Sequence, residues 1–170
     1  MRLGEIGVRR ALSADASRIA AVHDAAWAGA YRGIIPGREL ERMIARRGPV
    51  WWKRALDRHT AVLVLEFGGE VVGYATVGPN RMRMLPFAGE IYELYLKPEA
   101  QGLGLGRLLF AAARRELRRY GLASFAVRVL ADNAGGRAFY ERRGGTVAAE
   151  TGERIGEATL AIVVYGFAAE

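Results

Sequence analysis

At 170 residues, with 51% hydrophobic and 25% charged side chains, the chain suits one globular domain with a core of ordinary size. It has no cysteine, which excludes a disulfide framework and a thiol nucleophile; His23 and His59 alone are too few for a histidine-built metal site. The formal charge of +7 rests almost wholly on arginine and suits either a nucleic acid or a polyanionic small molecule.

Val8 to Ala11 reads as a first strand. Ser13 and Asp15 suit the first turn of a helix on which Ile19, Val22, His23 and Ala26 share one face. Trp27, Tyr31 and a turn at Gly33–Pro36 follow. A second helical stretch runs from Arg38 to about Arg47, and Pro49 opens a short third one through Trp51, Trp52 and Leu56. Ala61–Phe67 and Glu70–Gly78 are strand-like, and Gly68-Gly69 between them is a hairpin signal. Asn80–Leu85 is a loop. Strand 89–96, helix 104–120 and strand 124–130 make a βαβ crossover, which predicts parallel, right-handed pairing. A helix over 134–143 and a hairpin of strands 146–150 and 157–167, turning across Gly152–Gly156, complete the chain. No repeat or linker interrupts residues 1–170, so a single α/β domain with a mixed sheet is expected. No apolar run approaches the ~20 residues of a membrane span. The N-terminus lacks the apolar core of a signal peptide, so the cytoplasm is the expected location.

The stretch Gln101-Gly102-Leu103-Gly104-Leu105-Gly106-Arg107 joins a strand to a helix. Such a turn points backbone N–H groups at one spot, and the helix dipole adds about half a positive charge there. A phosphate or pyrophosphate is the natural ligand. A dinucleotide fingerprint beginning at Gly102 would need glycine where Arg107 stands, and beginning at Gly104 it would need glycine where Leu109 stands. A P-loop is also excluded, since no Gly-Lys-Ser/Thr run occurs.

Gln101-x-x-Gly104-x-Gly106 resembles the pyrophosphate loop of the GNAT superfamily of acyl-CoA N-acyltransferases. Leu94-Tyr95-Leu96-Lys97-Pro98 is similar to that family's central strand and its exit. Asn133, seven residues before Tyr140 in a segment ending Phe139-Tyr140, is similar to its second signature. The resemblance covers nearly the whole chain in the right order. The chain departs from it at Gly144-Gly145, where Gly-Phe is usual, and at Gly135 and Gly136, which weaken a short helix.

The resemblance implies a GNAT-like acyl-CoA N-acyltransferase fold, a mixed central sheet of about seven strands with helices on both faces. It also implies acetyl-CoA as cosubstrate, no metal, and two central strands that splay apart around the pantetheine arm. Leu94, Tyr95, Leu96, Gln101 to Arg107, Asn133, Arg137 and Tyr140 are then the candidate acetyl-CoA contacts. A backbone N–H near Tyr95 or Leu96 would polarise the thioester carbonyl. Tyr140 is the candidate general acid, because a phenol of ordinary pKa ~10 keeps its proton at neutral pH; the alternative is a core tyrosine beside Phe139.

Two carboxylates compete for the role of base, since Glu90 and Glu93 are both unfavourable in a central strand. Glu90 aligns with the base of some family members, and Glu93 lies nearer the expected thioester. Their odd separation puts them on opposite faces of a regular strand, so without a bulge only one faces the cleft. Both remain candidates. His23 reads as a core histidine, and Trp27 and Tyr31 as packing residues near the acceptor pocket.

The expected activity is acetyl-CoA-dependent acetylation of an amine on a small molecule or a protein. The alternatives are a non-catalytic acyl-CoA-binding module and a basic nucleic-acid-binding protein. The arginines at 114, 115, 118 and 119 read as the solvated face of an amphipathic helix, which disfavours nucleic acid. Family habit allows a homodimer through the C-terminal strands or an exposed helix.

Overall fold

A computed structural model describes residues 4–58 and 61–170, so His59 lies outside the described residues. Seven strands form one sheet in the order β1-β2-β3-β4-β5-β7-β6. They are β1 (Ile6–Arg10), β2 (Ala61–Phe67), β3 (Glu70–Pro79), β4 (Gly89–Leu96), β5 (Phe125–Leu130), β6 (Thr146–Ile155) and β7 (Ala158–Phe167). The helices are α1 (Ala16–Tyr31), α2 (Gly37–Ala45), α3 (Pro49–Asp57), α4 (Leu105–Arg119) and α5 (Ala134–Arg142). Every pairing is antiparallel except β4 with β5.

The sheet separates two apolar layers. On one face Leu109, Ala113 and Leu117 of α4, recurring at helical spacing, pack on Leu65, Ala75 and Ile91, and Phe139 and Tyr140 of α5 join them. On the other face Ile19 and Val22 of α1 and Trp52 of α3 cover Val62, Val64 and Tyr74. Helices on both faces of a seven-stranded mixed sheet are the expected architecture.

Gly68 and Gly69 take φ of +62° and +84°, which lets a two-residue turn follow the twist of β2 and β3. Two of the bounds that differ from expectation have a visible cause. Strand β6 runs on to Ile155, pairing as far as Ala158, so the last turn is two residues rather than five. Helix α4 starts at Leu105, because Gly104 sits outside it at φ +77° as the cap. The arginine face of α4 is only partly solvated: Arg114 lies 5.3–5.6 Å from the rings of Phe110, Phe125 and Phe167 and reaches Glu170 with its guanidinium.

Two irregularities in β4 position the site. The register of β4 against β3 passes from Val77↔Ile91 to Thr76↔Glu93, so Tyr92 is an inserted residue, a β-bulge. Parallel pairing of β4 with β5 covers only Gly89↔Phe125, Glu90↔Ala126 and Ile91↔Val127. Beyond the bulge the two strands part, as expected.

Candidate active site

The gap between the parted strands is a cleft of about 610 Å³. One wall is β4 from Tyr92 to Leu96, and the other is β5 from Val127 to Val129. The loop before α4 and the start of α5 close the far end.

Strand alternation decides which backbone groups face the gap. The Lys97 N–H donates to the Val72 carbonyl of β3, so two residues back Tyr95 also turns its polar groups to β3. Leu94 and Leu96 therefore turn theirs toward the gap. The Leu96 carbonyl accepts from Gln101 Nε2 at 3.2 Å instead of from β3, in keeping with that alternation. Of the two N–H groups expected to polarise a thioester, Leu96 faces the cleft and Tyr95 does not. The Tyr95 side chain packs with Trp27, Tyr31 and Tyr74 on the α1 face.

Gly102 and Gly104 lie at φ +76° and +77°, in the left-handed region that favours glycine. Neither has an atom within 4 Å of where a Cβ would stand, so the space before their amides is open. That open cradle at the N-terminus of α4 fits a diphosphate. Gly106 is constrained from within, since a Cβ there would meet the Phe139 ring at 2.8 Å. Leu105 turns into the core and Leu103 is exposed, and neither side chain lines the cleft.

Asn133 caps α5, its Oδ1 accepting from the Gly136 N–H at 3.0 Å. A Cβ at Gly136 would stand 2.7 Å from the Asn133 side chain, so that glycine serves the cap, whereas Gly135 lines the cleft with nothing nearer than 3.9 Å. Gly144 ends α5 at φ +91°, and a Cβ at Gly145 would strike Phe167 and the Tyr140 carbonyl. These close approaches explain Gly136 and Gly145; nothing in the structure explains Gly135. Arg137 does not join the site: it points away to Tyr165 and Glu141.

Tyr140 lines the cleft from α5, packed edge-on against Phe139 and against Phe110 and Tyr165. Its burial pushes the phenol above its ordinary value, and its hydroxyl has no hydrogen bond to the described residues. It can hold a proton at the cleft and give it up only to a strong local base.

The bulge resolves the geometry of the two carboxylates. With Tyr92 inserted, Glu90 and Glu93 lie on the same face despite their odd separation, contrary to the regular-strand expectation. Only Glu93 reaches the cleft. Glu90 is fully buried beside β5 and is held by Arg81, whose backbone N–H and guanidinium donate to it at 3.0 and 2.7 Å. It pins the start of the 80–88 loop. Glu93 accepts from the Tyr74 hydroxyl at 2.5 Å through one oxygen and from Arg47 through the other. That burial and the nearby carboxylate raise the Tyr74 phenol well above its ordinary value, so it donates.

His23 is fully buried against Trp27, and burial pulls its pKa down, so it is a neutral core ring. Tyr31 lines the cleft. Arg47, Tyr74, Arg128, Arg142 and Arg143 belong to the site without having stood out in the sequence. They sit outside its glycine-rich and Asn–Tyr signatures, and arginine is too frequent here to mark a position. Among the described residues Arg107, Arg142 and Arg143 form no salt bridge, yet all three line the cleft mouth. Arg143 lies 3.6 Å over the Phe139 ring, its pKa lowered by burial and by Arg107 and Arg142. Three unpaired cations beside an amide cradle fit a ligand with several phosphate charges.

A backbone cradle for a diphosphate, continuous with a strand gap sized for an extended chain, is the construction of an acyl-CoA-binding transferase. The family model described as the Acetyltransferase (GNAT) family matches residues 20–145. An uncharacterized N-acetyltransferase YuaI of Bacillus subtilis (strain 168) is 34% identical over 75% of this chain and 73% of its own. A mycothiol acetyltransferase of Streptomyces bingchenggensis is 36% identical over 68% of this chain, a match that spans only 34% of that protein. The crystal structure of PaiA N-acetyltransferase from Thermoplasma acidophilum in complex with coenzyme A has a TM-score of 0.76, with 20% identity, covering 96% of this chain and 99% of that one. YncA of Salmonella typhimurium, solved with acetyl-CoA, has a TM-score of 0.70 with 22% identity, covering 96% and 94%. The chain belongs to the GNAT family of acetyl-CoA-dependent acetyltransferases. Among the described residues no cluster of potential metal ligands occurs and no helix is long and apolar enough to cross a membrane.

Proposed function

We propose that the protein moves an acetyl group from acetyl-CoA directly to a primary amine, with Glu93 as general base and Tyr140 as general acid. One observation carries this reading: where β4 and β5 part, a carboxylate from β4 and a protonated phenol from α5 both line the same cleft.

Bound acetyl-CoA supplies the thioester, whose C–S bond breaks as the amine's C–N bond forms. The Gly102–Gly106 amides and the arginines at the mouth hold the phosphates. The Leu96 N–H, turned to the gap, is placed to stabilise charge developing on the carbonyl oxygen. Glu93 takes a proton from the incoming ammonium and passes it to solvent, leaving the nitrogen lone pair free. Tyr140 gives its proton to the departing sulfur and regains one from the nitrogen, which sheds its second proton as the amide forms. The balance is one ammonium and one thioester in, one amide, one thiol and one solvated proton out. No covalent enzyme intermediate is needed, which agrees with a chain that lacks cysteine.

A binding-only module is the second reading, and the engagement of both Glu93 oxygens favours it. Release of free thiol from acetyl-CoA, measured across aliphatic, aromatic, amino-acid and peptide amines, separates the two. Amine-dependent thiol release supports acetyl transfer. Thermal stabilisation by acetyl-CoA with no thiol release from any amine supports the binding module.

A further inference from the structure

The partners of Glu93 carry information about the acceptor, given the acetyl-transfer reading on which this inference rests. Arg47 comes from the turn between α2 and α3 and donates to one Glu93 oxygen. Its guanidinium lies 4.6 Å from the Trp51 ring centre and 5.8 Å from that of Trp27. The Arg47 side chain is 29% exposed and the Glu93 side chain 11%, so the arginine lies on the solvent side of the carboxylate. The chain thus places its own cation on the proposed base, beside two aromatic faces.

Each Glu93 oxygen keeps a second lone pair, but an ammonium arriving from solvent meets Arg47 on that side and competes with it for the carboxylate. The Tyr74 hydroxyl is the deeper of the two, on a residue with no exposed surface, so Arg47 is the partner that yields. An acceptor bringing only an ammonium would satisfy Glu93 and leave the displaced guanidinium with aromatic contacts but no anion. An acceptor that also carries an acid group beside its amine satisfies both halves, ammonium to Glu93 and carboxylate to Arg47. A planar guanidinium is suited to grip that carboxylate in two-point fashion. Two other arginines are already committed: Arg81 holds Glu90, and Arg128 pairs with Glu153 at 3.3 Å.

The geometry points to an amino acid, or another amine with a carboxylate one or two carbons away, as the acceptor, with Arg47 as the group that selects it. Acetylation turns the ammonium into a neutral amide, which cannot pair with Glu93. Arg47 then recovers its partner, and the product loses half of its anchoring.

The test compares matched acceptors: free amino acids with aliphatic and aromatic side chains, and the methyl ester and amide of each, in kcat/KM by thiol release. The expected result is a preference for the free acid of tenfold or more in the wild-type enzyme. Arg47→Gln should reduce that preference to about twofold or less while ester turnover persists, and Arg47→Lys should restore part of it. Thermal melts of both variants establish that the fold is retained. A wild-type enzyme that uses ester and acid equally, or a preference that survives in Arg47→Gln, overturns the assignment while leaving acetyl transfer standing. Absence of turnover with acid, ester and amide alike overturns this assignment, and the acetyl-transfer reading falls with it only where aliphatic, aromatic and peptide amines release no thiol either.

Discussion

The two ends of the cleft are built from different materials. The donor end is mostly backbone: left-handed glycines at 102 and 104, a helix N-terminus, and strand amides exposed because β4 and β5 part after three paired residues. The end proposed for the acceptor is mostly side chains: Glu93, Arg47, Tyr74 and the aromatic rings of α1 and α3. A backbone cradle tolerates no change in where its glycines stand, but it recognises only phosphate and thioester. A side-chain pocket can be retuned by single substitutions, and there we place the choice of acceptor.

The contrast breaks first at Tyr140, which lines the cleft from α5 and is proposed to act through a side chain. Tyr140→Phe should lower kcat by about 10²-fold, the low end of general-acid effects for a good thiolate leaving group. Acetyl-CoA affinity should stay within twofold, because the ring packing survives. Because burial raises the phenol above its ordinary ~10, the acid form persists as pH rises. Wild-type kcat should therefore show no loss of the acid below about pH 10. A variant with wild-type kcat and a lower Tm would make Tyr140 a packing residue only.

The glycine loop should respond in binding alone. Gly104→Val introduces a β-branched residue at φ +77° and bulk into the open cradle. The acetyl-CoA Kd should rise tenfold or more, about 1.4 kcal/mol, by calorimetry, with the circular dichroism unchanged. Unaltered affinity would remove the loop from its role.

The arginines at the mouth are a smaller, side-chain contribution to the donor end. Arg142→Ala should weaken acetyl-CoA by about fivefold, the scale of a solvent-exposed charge contact, and should narrow the difference between acetyl-CoA and its 3′-dephospho form. Equal effects on both donors would assign Arg142 to the diphosphate instead.

The smallest effect on activity should come from Glu90. Glu90→Gln keeps shape and some hydrogen bonds to Arg81 but removes the charge from a fully buried site. Stability should fall by about 1–3 kcal/mol in denaturant titration, with kcat within about twofold. A large kcat loss at unchanged stability would return Glu90 to the catalytic candidates.

The same division explains what could be read from the chain alone. Apolar spacing and turn residues placed the helices and strands to within a few residues, apart from the far ends of α1 and β6, because spacing reports which face is buried. The donor loop was readable because glycine at fixed intervals is a backbone requirement written in residue type. The choice between Glu90 and Glu93 was not readable. It depends on one inserted residue, Tyr92, and a bulge has no residue signature of its own here. Arg47 was hidden for a different reason: it lies 46 positions from Glu93 and is one arginine among many. The extent of β6 was underestimated because Gly152 suggested a turn, whereas it pairs with Ala161 within the ladder.

The central claim is that the bulge presents Glu93, and not Glu90, to the acceptor amine. The most direct test is the pH dependence of kcat/KM for Glu93→Gln and Glu90→Gln with the best acceptor found. Removing the base should lower activity at neutral pH by ~10²-fold or more and let it recover at high pH, where the amine is already neutral. Glu93→Gln is expected to behave in this way, its ascending limb following the free amine, while Glu90→Gln keeps the wild-type profile. The reverse assignment, or wild-type profiles for both variants, would contradict the account.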